Sequence, residues 1–501
     1  MTEQIVSINP STLQPIDNVN VTTSEGLLEI VKKARKAQTA WQDMGFDGRK
    51  PFFNRLSSYM LDHYEEIARF IARENGKPYL EAILAEVYPS IDVVNYYSKR
   101  AEKLLSDKKI PIRVFKFMGK KSYIMYKPAG VIGIISPWNY PFAIPFSEII
   151  MALVAGNTVI LKPSELTPLI GKKIQELLDT AGFPEGVFSV VFGDGRIGAE
   201  LVKARLSKVI FTGSVATGRK IMATAAENLT PVVLELGGKD PMIVLKDADL
   251  DMSARGAVWA GFMNSGQTCA SVERVYVDES IKDRFIELVM QYTNKIRQGD
   301  TLENETTDMG SMIDQRQLSI VENHVKDAAA RGARILSGGR RPDNLKGYFY
   351  KPTVLVDVDH SMQVMTDETF GPVLPIMTFK TEEQAIQLAN DSRYALTASV
   401  WSKDIKRAEA IARQLVAGTV TVNDHIMTYG IPETPWGGSK ESGFGRTHAD
   451  IGLMEFVEPV HIHVDKAWLK KKPWWYPYNK KTLQFLKIML WMTKKMKFLM
   501  S

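Results

Sequence analysis

The chain of 501 residues is 45% hydrophobic and 24% charged, an ordinary globular composition long enough for two or three domains of ~100–200 residues each. Ten lysines and no acidic residue fall in 466–501, so the formal charge of +6 belongs to the tail, and the first 465 residues carry 53 basic against 57 acidic residues, a net of −4. No run of about 18 apolar residues offers a membrane-crossing helix, no nucleic-acid partner is expected, and MTEQIVSINP lacks the basic and apolar regions of a leader, so a cytoplasmic, reducing setting is expected for the single cysteine.

Residues 24 to about 105 carry apolar side chains at three-to-four spacing, which predicts helices over 29–41, 49–75 and 79–105. Alternating apolar and basic residues over 110–117 (ending at Phe117) and 121–127, around Met118 and Gly119, predict a half-exposed strand pair suited to an interface. From Val131 the β-branched runs VIGIIS, TVILKP, VFSVVFG, KVIFTG and VVLELG alternate with helical segments, the pattern of parallel strands with crossover helices. A second series covers 274–277, 353–358, 373–379, 398–401 and 419–422. The fold class is therefore α/β, two doubly wound units in tandem, with a site expected at their junction.

Cys269 lies in NSGQTCA, between an apolar helix-like run and a strand-like run. A lone thiol is most often a small buried hydrophobe, but junctions of elements also carry reactive groups. Pro137-Trp138-Asn139-Tyr140-Pro141 follows the first strand, and its two prolines fix the backbone around an amide able to donate to an oxyanion. Leu234-Glu235-Leu236 puts a carboxylate at an apolar strand end, where burial would raise its pKa toward use as a base. Lys162-Pro-Ser-Glu165 closes another strand, and Phe211-Thr-Gly213-Ser214 with Gly218 opens a helix that could hold a phosphate, at a spacing unlike the usual G-x-G-x-x-G. Glu368-Thr-Phe370 adds a carboxylate and an aromatic ring on a turn.

These motifs together resemble the aldehyde dehydrogenase superfamily: PWNYP, KPSE, FTGS, LELGGK, GQTC, ETFGPV and PWGGSKESGFGR stand in that order over roughly residues 20 to 465. The resemblance implies an aldehyde dehydrogenase-like fold with a small β oligomerisation element. It implies an NAD-binding domain from 1–105 and 129–235, a catalytic domain over 236–448, and oligomerisation strands over 106–128 and 449–465 of a homodimer or homotetramer. By the same resemblance Cys269 is the nucleophile, Asn139 the oxyanion donor and Glu235 the base for thioester hydrolysis. Lys162, Glu165, Trp138, Gly213, Ser214 and Gly218 attend the adenosine and pyrophosphate, Glu368 and Phe370 the nicotinamide end, and no metal site is expected. A carboxylate at Glu165 suits a free ribose hydroxyl better than a phosphate, so NAD is expected, with NADP the alternative. Glu235 points to hydrolysis to the free acid and away from transfer to coenzyme A. Two departures from the family pattern are Ala395, where Gly is usual, and Glu148, where many members carry Lys.

The segment 466–501 is additional. It holds Trp468, Trp474, Trp475 and Trp491, and on a helix Phe485, Met489, Met492, Met496 and Leu499 share one face with lysines off it. A basic amphipathic helix suits an anionic membrane surface or packs on a subunit. Its Trp-Trp-Tyr-Pro-Tyr run resembles the tail region of fatty aldehyde dehydrogenases, which implies a long-chain, apolar aldehyde and peripheral membrane contact. The alternatives are the same chemistry on a small polar aldehyde of the semialdehyde type, and a catalytically silent scaffold.

Overall fold

A computed structural model describes residues 3–112, 119–467, 470–472 and 474–498; Phe117, Met118, Trp468 and Leu499 lie outside them. The chain divides into two compact units, one of residues 1–104 with 128–458, the other of 105–127 with 459–501.

The larger unit holds two mostly parallel sheets. In the six-stranded one the order is Gly443–Phe444, Val232–Glu235, Lys208–Thr212, Val131–Ile135, Thr158–Lys162, Phe188–Val190, parallel except for the first. The chain enters at Val131–Ile135, winds outward on one side, then returns to the other. The carboxyl end of that entry strand is thus the point where strand order reverses, the usual ligand crevice of an open α/β sheet. Near-continuous burial of these strands explains why they read as unbroken β-branched runs rather than as alternation.

The seven-stranded sheet runs Arg334–Ser337, Thr353–Val356, Val373–Phe379, Val272–Asp278, Asp240–Val244, Thr397–Trp401, Thr419–Val422, with only Arg334–Ser337 antiparallel. Two of its strands, Asp240–Val244 and Arg334–Ser337, were not anticipated, because a charge and a proline open the first and arginine opens the short second. An N-terminal hairpin of Gln4–Ile8 and Pro15–Asn20 also precedes the helices.

The expected helix over 49–75 is two helices, Gly45–Asp62 and Tyr64–Asn75, broken at His63, whose φ of −121° leaves the helical region. Downstream, one turn of π-helix, Ile83–Val87, interrupts the helical run between Tyr79–Ala82 and Tyr88–Leu104. Such bulges often mark functional positions, and this one contains Glu86.

The second unit carries a three-stranded sheet in the order Val457–Asp465, Lys120–Pro128, Lys108–Ile110. Residues 449–454, grouped with the strands by resemblance, form the short helix Ala449–Met454, for which the small residues Ala449 and Gly452 allow close packing. The tail forms the helix Lys480–Phe498, and Leu483, Phe485, Leu486, Leu490, Trp491 and Met492 are exposed along it, an apolar surface wider than the expected stripe.

Candidate active site

The carboxyl ends of the six-stranded sheet deliver Asn139, Lys162, Gly213 and Glu235 to one cavity of about 680 Å³, and the seven-stranded sheet's approach loops deliver Cys269, Glu368 and Phe370. Trp138, Glu165 and Ser214 line it as well. Gly218 does not: it sits a turn inside the helix Val215–Ala226, its N–H bonded to Ser214 O at 2.9 Å, and a Cβ there would strike Leu236. Its smallness serves helix packing.

Three successive residues before the cysteine loop, Asn264, Ser265 and Gly266, have φ of 51°, 58° and 71°. Left-handed backbone costs a non-glycine residue roughly 1–2 kcal/mol, and the surroundings hold it: Gln267 Oε1 accepts the Ile313 N–H at 2.8 Å, and Ser265 Oγ donates to Gly310 O at 2.9 Å. Cys269 is partly exposed into the cavity. Burial, then the carboxylates of Glu235, Asp240 and Glu368, pushes its thiol up, opposed by the Ala270 N–H. At neutral pH the resting thiol keeps its proton.

Asn139 is held from three sides. Its side-chain Nδ2 donates to Gln267 O at 3.1 Å, and its main-chain carbonyl accepts from Asn264 Nδ2 at 2.9 Å and Lys77 Nζ at 2.9 Å. Lys77 is itself ion-paired with Glu86 at 2.5 Å, both fully buried. Glu86 also accepts the N–H groups of Phe142 and Ala143 at 2.8 and 3.0 Å, the start of the helix Ala143–Val154. The π-turn thus aims a carboxylate at a helix N-terminus and fixes the Pro137–Pro141 turn. Nothing in the sequence singled out Lys77 or Glu86.

Glu235 ends its strand nearly buried, and burial raises its carboxyl to about 7 in spite of bonds from Thr447 and Trp436. Glu368 accepts the Gly238 N–H at 3.0 Å and is raised to about 8 by burial, then by Glu273. A Cβ on Gly237 would overlap the Glu368 carboxylate, so a side chain there would displace it from the Gly238 N–H. Phe370, at φ 51°, meets Trp138 edge to face with ring centres 5.4 Å apart. Lys162 Nζ and Glu165 Oε2 pair with each other at 3.0 Å.

The thiol also belongs to an apolar cluster. Cys269 packs with Ala270, Leu396, Trp436, Ile426 and Tyr429, and the last two continue into a cluster with Tyr140, Ile144, Met263 and Ala85. On the cavity's other side the helices Gly195–Lys203 and Val215–Ala226 both begin at its wall, capped by Asp194 and Ser214.

Two wound sheets with a thiol, a carboxyl group and a carboxamide at one end of a cavity, and paired helix N-termini at the other, define an α/β protein equipped for covalent chemistry beside an anionic ligand. The profile of the aldehyde dehydrogenase family matches residues 1–462. A 4,4'-diapolycopene aldehyde oxidase of Methylomonas sp is 40% identical over 475 residues, covering 95% of this chain and 88% of its own. A point variant of betaine aldehyde dehydrogenase from Staphylococcus aureus, solved in complex with NAD+, shares 35% identity at a TM-score of 0.88, over 94% of this chain and 96% of that one. An E. coli NADP dependent enzyme shares 34% identity at a TM-score of 0.89, over 92% and 95%. The chain belongs to the aldehyde dehydrogenase family.

Proposed function

We propose that this aldehyde dehydrogenase oxidises long-chain, apolar aldehydes to free carboxylic acids with NAD. The observation that carries the substrate reading is the apolar wall of Ile426, Tyr429, Trp436 and Leu396 against Cys269. The Methylomonas relative is named for a hydrocarbon-chain aldehyde and the Staphylococcus neighbour for betaine aldehyde. Both readings are compatible with the family: an apolar chain gains about 25 cal/mol per Å² buried against Ile426 and Leu396, and the rings of Tyr429 and Trp436 would also hold a quaternary ammonium by cation–π attraction, so a chain-length series decides between them.

The cavity fits a dinucleotide in volume and in donors: the N-terminus of the helix Val215–Ala226, capped by the neutral Ser214, suits a pyrophosphate, Lys162 and Glu165 suit ribose hydroxyls, and Glu368 with Phe370 suit the nicotinamide end. Residues 1–105 with 129–235 would hold it, and 236–448 would carry the thiol. NAD, when bound, supplies the acceptor for the hydride that leaves the substrate carbon. Cys269 gives its thiol proton to solvent and Sγ adds to the aldehyde carbon, so that the carbonyl oxygen becomes an oxyanion held by the Cys269 N–H and the Asn139 carboxamide; the proton that Glu235 later takes from water is the one it returns to the thiolate. The clamp from Gln267 and Lys77 keeps that donor in place, and a preorganised donor of this kind is worth about 3–4 kcal/mol of barrier. Glu235 then takes a proton from water whose oxygen attacks the thioester carbon. The C–S bond breaks, the acid leaves and the thiol recovers its proton.

The exposed apolar and lysine-bearing tail helix suits an anionic membrane surface, at ~1 kcal/mol per lysine near it. The three-stranded sheet would join subunits of a homodimer or homotetramer. The test is kcat/KM across aldehydes of two to sixteen carbons, with and without residues 466–501, together with liposome co-sedimentation of both forms. Rising efficiency with chain length, and loss of pelleting on truncation, are expected. A flat profile removes the long-chain reading, and equal pelleting removes the membrane one.

A further inference from the structure

Glu235 Oε1 lies 2.6 Å from Thr447 Oγ1, and that oxygen lies 3.0 Å from His448 Nδ1. The three side chains are 5%, 2% and 1% exposed. Backbone pairing sets the spacing: Gly443 stands opposite Glu235 across the antiparallel strands, and Thr447 exchanges both backbone bonds with Trp436 at 2.8 Å. His448 has φ of 59°, a left-handed turn that folds its ring back on its neighbour and against Tyr429, ring centres 4.8 Å apart.

A buried base has a difficulty that an exposed one lacks. Its charged form needs donors, its protonated form needs an acceptor, and the same neighbours must serve both. A hydroxyl is both donor and acceptor, and a neutral imidazole can carry its hydrogen on either nitrogen. With Glu235 ionised, Thr447 donates to it and accepts from His448 Nδ1–H. With Glu235 protonated, the carboxyl donates to Thr447, which donates to a bare His448 Nδ1. The ring then carries its hydrogen on Nε2 in place of Nδ1, so it is neutral in both states.

We propose that Thr447 and His448 are positioning residues that satisfy Glu235 in both protonation states and set the pH at which it serves as base. The inference rests on the reading of Glu235 as the hydrolytic base. Other ionisable groups face the same space. Glu148, from the helix Ala143–Val154, accepts from Thr212 at 3.4 Å through one oxygen, and its other oxygen is buried without a partner among the described residues. Thr212 stands opposite Glu235 in the sheet. Burial, then Glu235, pushes the Glu148 carboxyl well up. Tyr429 and Cys269 are likewise pushed up and neutral, burial leading in each. Arg446 favours the charged form of Glu235, and burial holds His448 down at about 4, which keeps the ring neutral.

The experiment is the pH profile of kcat for T447V, T447S, H448F and E235Q, with thermal midpoint and NAD binding followed in each. T447V removes a bond that both states use but that is about twice as strong to the carboxylate as to the neutral carboxyl, so the acid limb should move up by about one pH unit, which lowers turnover roughly fivefold at pH 7. T447S should return the limb to its original position, and H448F should move it in the same direction as T447V by less. A merely structural role would lower the thermal midpoint and leave the limb where it was. Should T447V fail to fold, H448F and T447S carry the same comparison. E235Q without hydrolytic turnover, alongside an unshifted limb in T447V and H448F, would overturn this inference alone. E235Q with normal turnover would remove the base reading itself.

Discussion

Lys239 Nζ lies 2.5 Å from Glu273, both side chains buried. The Glu273 carboxylate also accepts the N–H groups of Thr369 and Phe370 at 2.8 and 2.9 Å, and Lys239 donates to Thr369 Oγ1 at 3.2 Å. One ion pair therefore anchors the turn that carries Glu368 and Phe370. Removing one partner of a buried pair leaves the other charge without compensation, typically costing about 3–5 kcal/mol. Glu273→Gln should lower the unfolding midpoint in denaturant and raise the dissociation constant for NAD, since the turn loses its anchor. Unchanged NAD affinity in a folded variant would separate the pair from cofactor binding.

Gly266 is the tightest point of the cysteine loop. Its φ is 71°, and a Cβ there would fall on the Gly371 carbonyl, which is backbone and cannot step aside. Gly266→Ala should push apart the loops holding Cys269 and Glu368. We expect a loss of at least ~2 kcal/mol from strain and overpacking, and slower Cys269 alkylation by iodoacetamide or a changed reagent preference. Wild-type stability and alkylation rate would show that the contact is slack.

Much of the fold was readable because its strands are buried on both faces and announce themselves as β-branched runs, while the crossover helices keep a 3.6-residue period. That Asn139, Glu235 and Cys269 sit on turns facing one cavity was readable because proline, glycine and small polar neighbours mark those turns. Lys77 and Glu86 were not: a lysine after Gly76 and a glutamate in a helical run look like solvated surface, and only the π-turn Ile83–Val87 swings Glu86 inward. Glu273 did leave a trace, a charge inside the apolar strand Val272–Asp278, which signals a buried pair whose partner the sequence does not name. Gly218 stands outside the cavity lining because helix packing, like phosphate approach, calls for glycine at a helix start.

Burial holds Glu235 at about 7, above the ordinary carboxylate range of about 4.3. As base it must be ionised, so hydrolysis should be full above pH 8 and fall tenfold per unit well below 7. Formation of the thioester needs the thiol deprotonated, and burial raises that group too. Steady-state kcat should therefore climb through pH 7 and go on rising slowly toward alkaline pH. Rapid-mixing measurements resolve the two steps: hydrolysis levels off above pH 8 while thioester formation goes on accelerating, so the burst of NADH should grow from pH 7 to pH 9. A bell centred near pH 5 would contradict the assignment of a raised carboxyl.

Glu165 is 46% exposed beside Lys162, which is 4% exposed, and their 3.0 Å pair closes one end of the cavity. A ribose hydroxyl can donate to the carboxylate and accept from the ammonium. A phosphate on that hydroxyl would bring two negative charges against Glu165. At about 4 Å and an effective dielectric near 20 to 80, the repulsion per charge pair is of order 1–4 kcal/mol before screening. Glu165→Gln keeps the shape and removes the charge, so kcat/KM with NADP should rise about tenfold while that with NAD falls a few-fold, the lysine now being free to meet the phosphate. The comparison should be made at low and high salt, because an electrostatic barrier shrinks as ionic strength rises. If Glu165→Gln leaves the NADP to NAD ratio unchanged at both, the discrimination lies elsewhere in the cavity, with the helix starts at Gly195 and Val215 the next place to look.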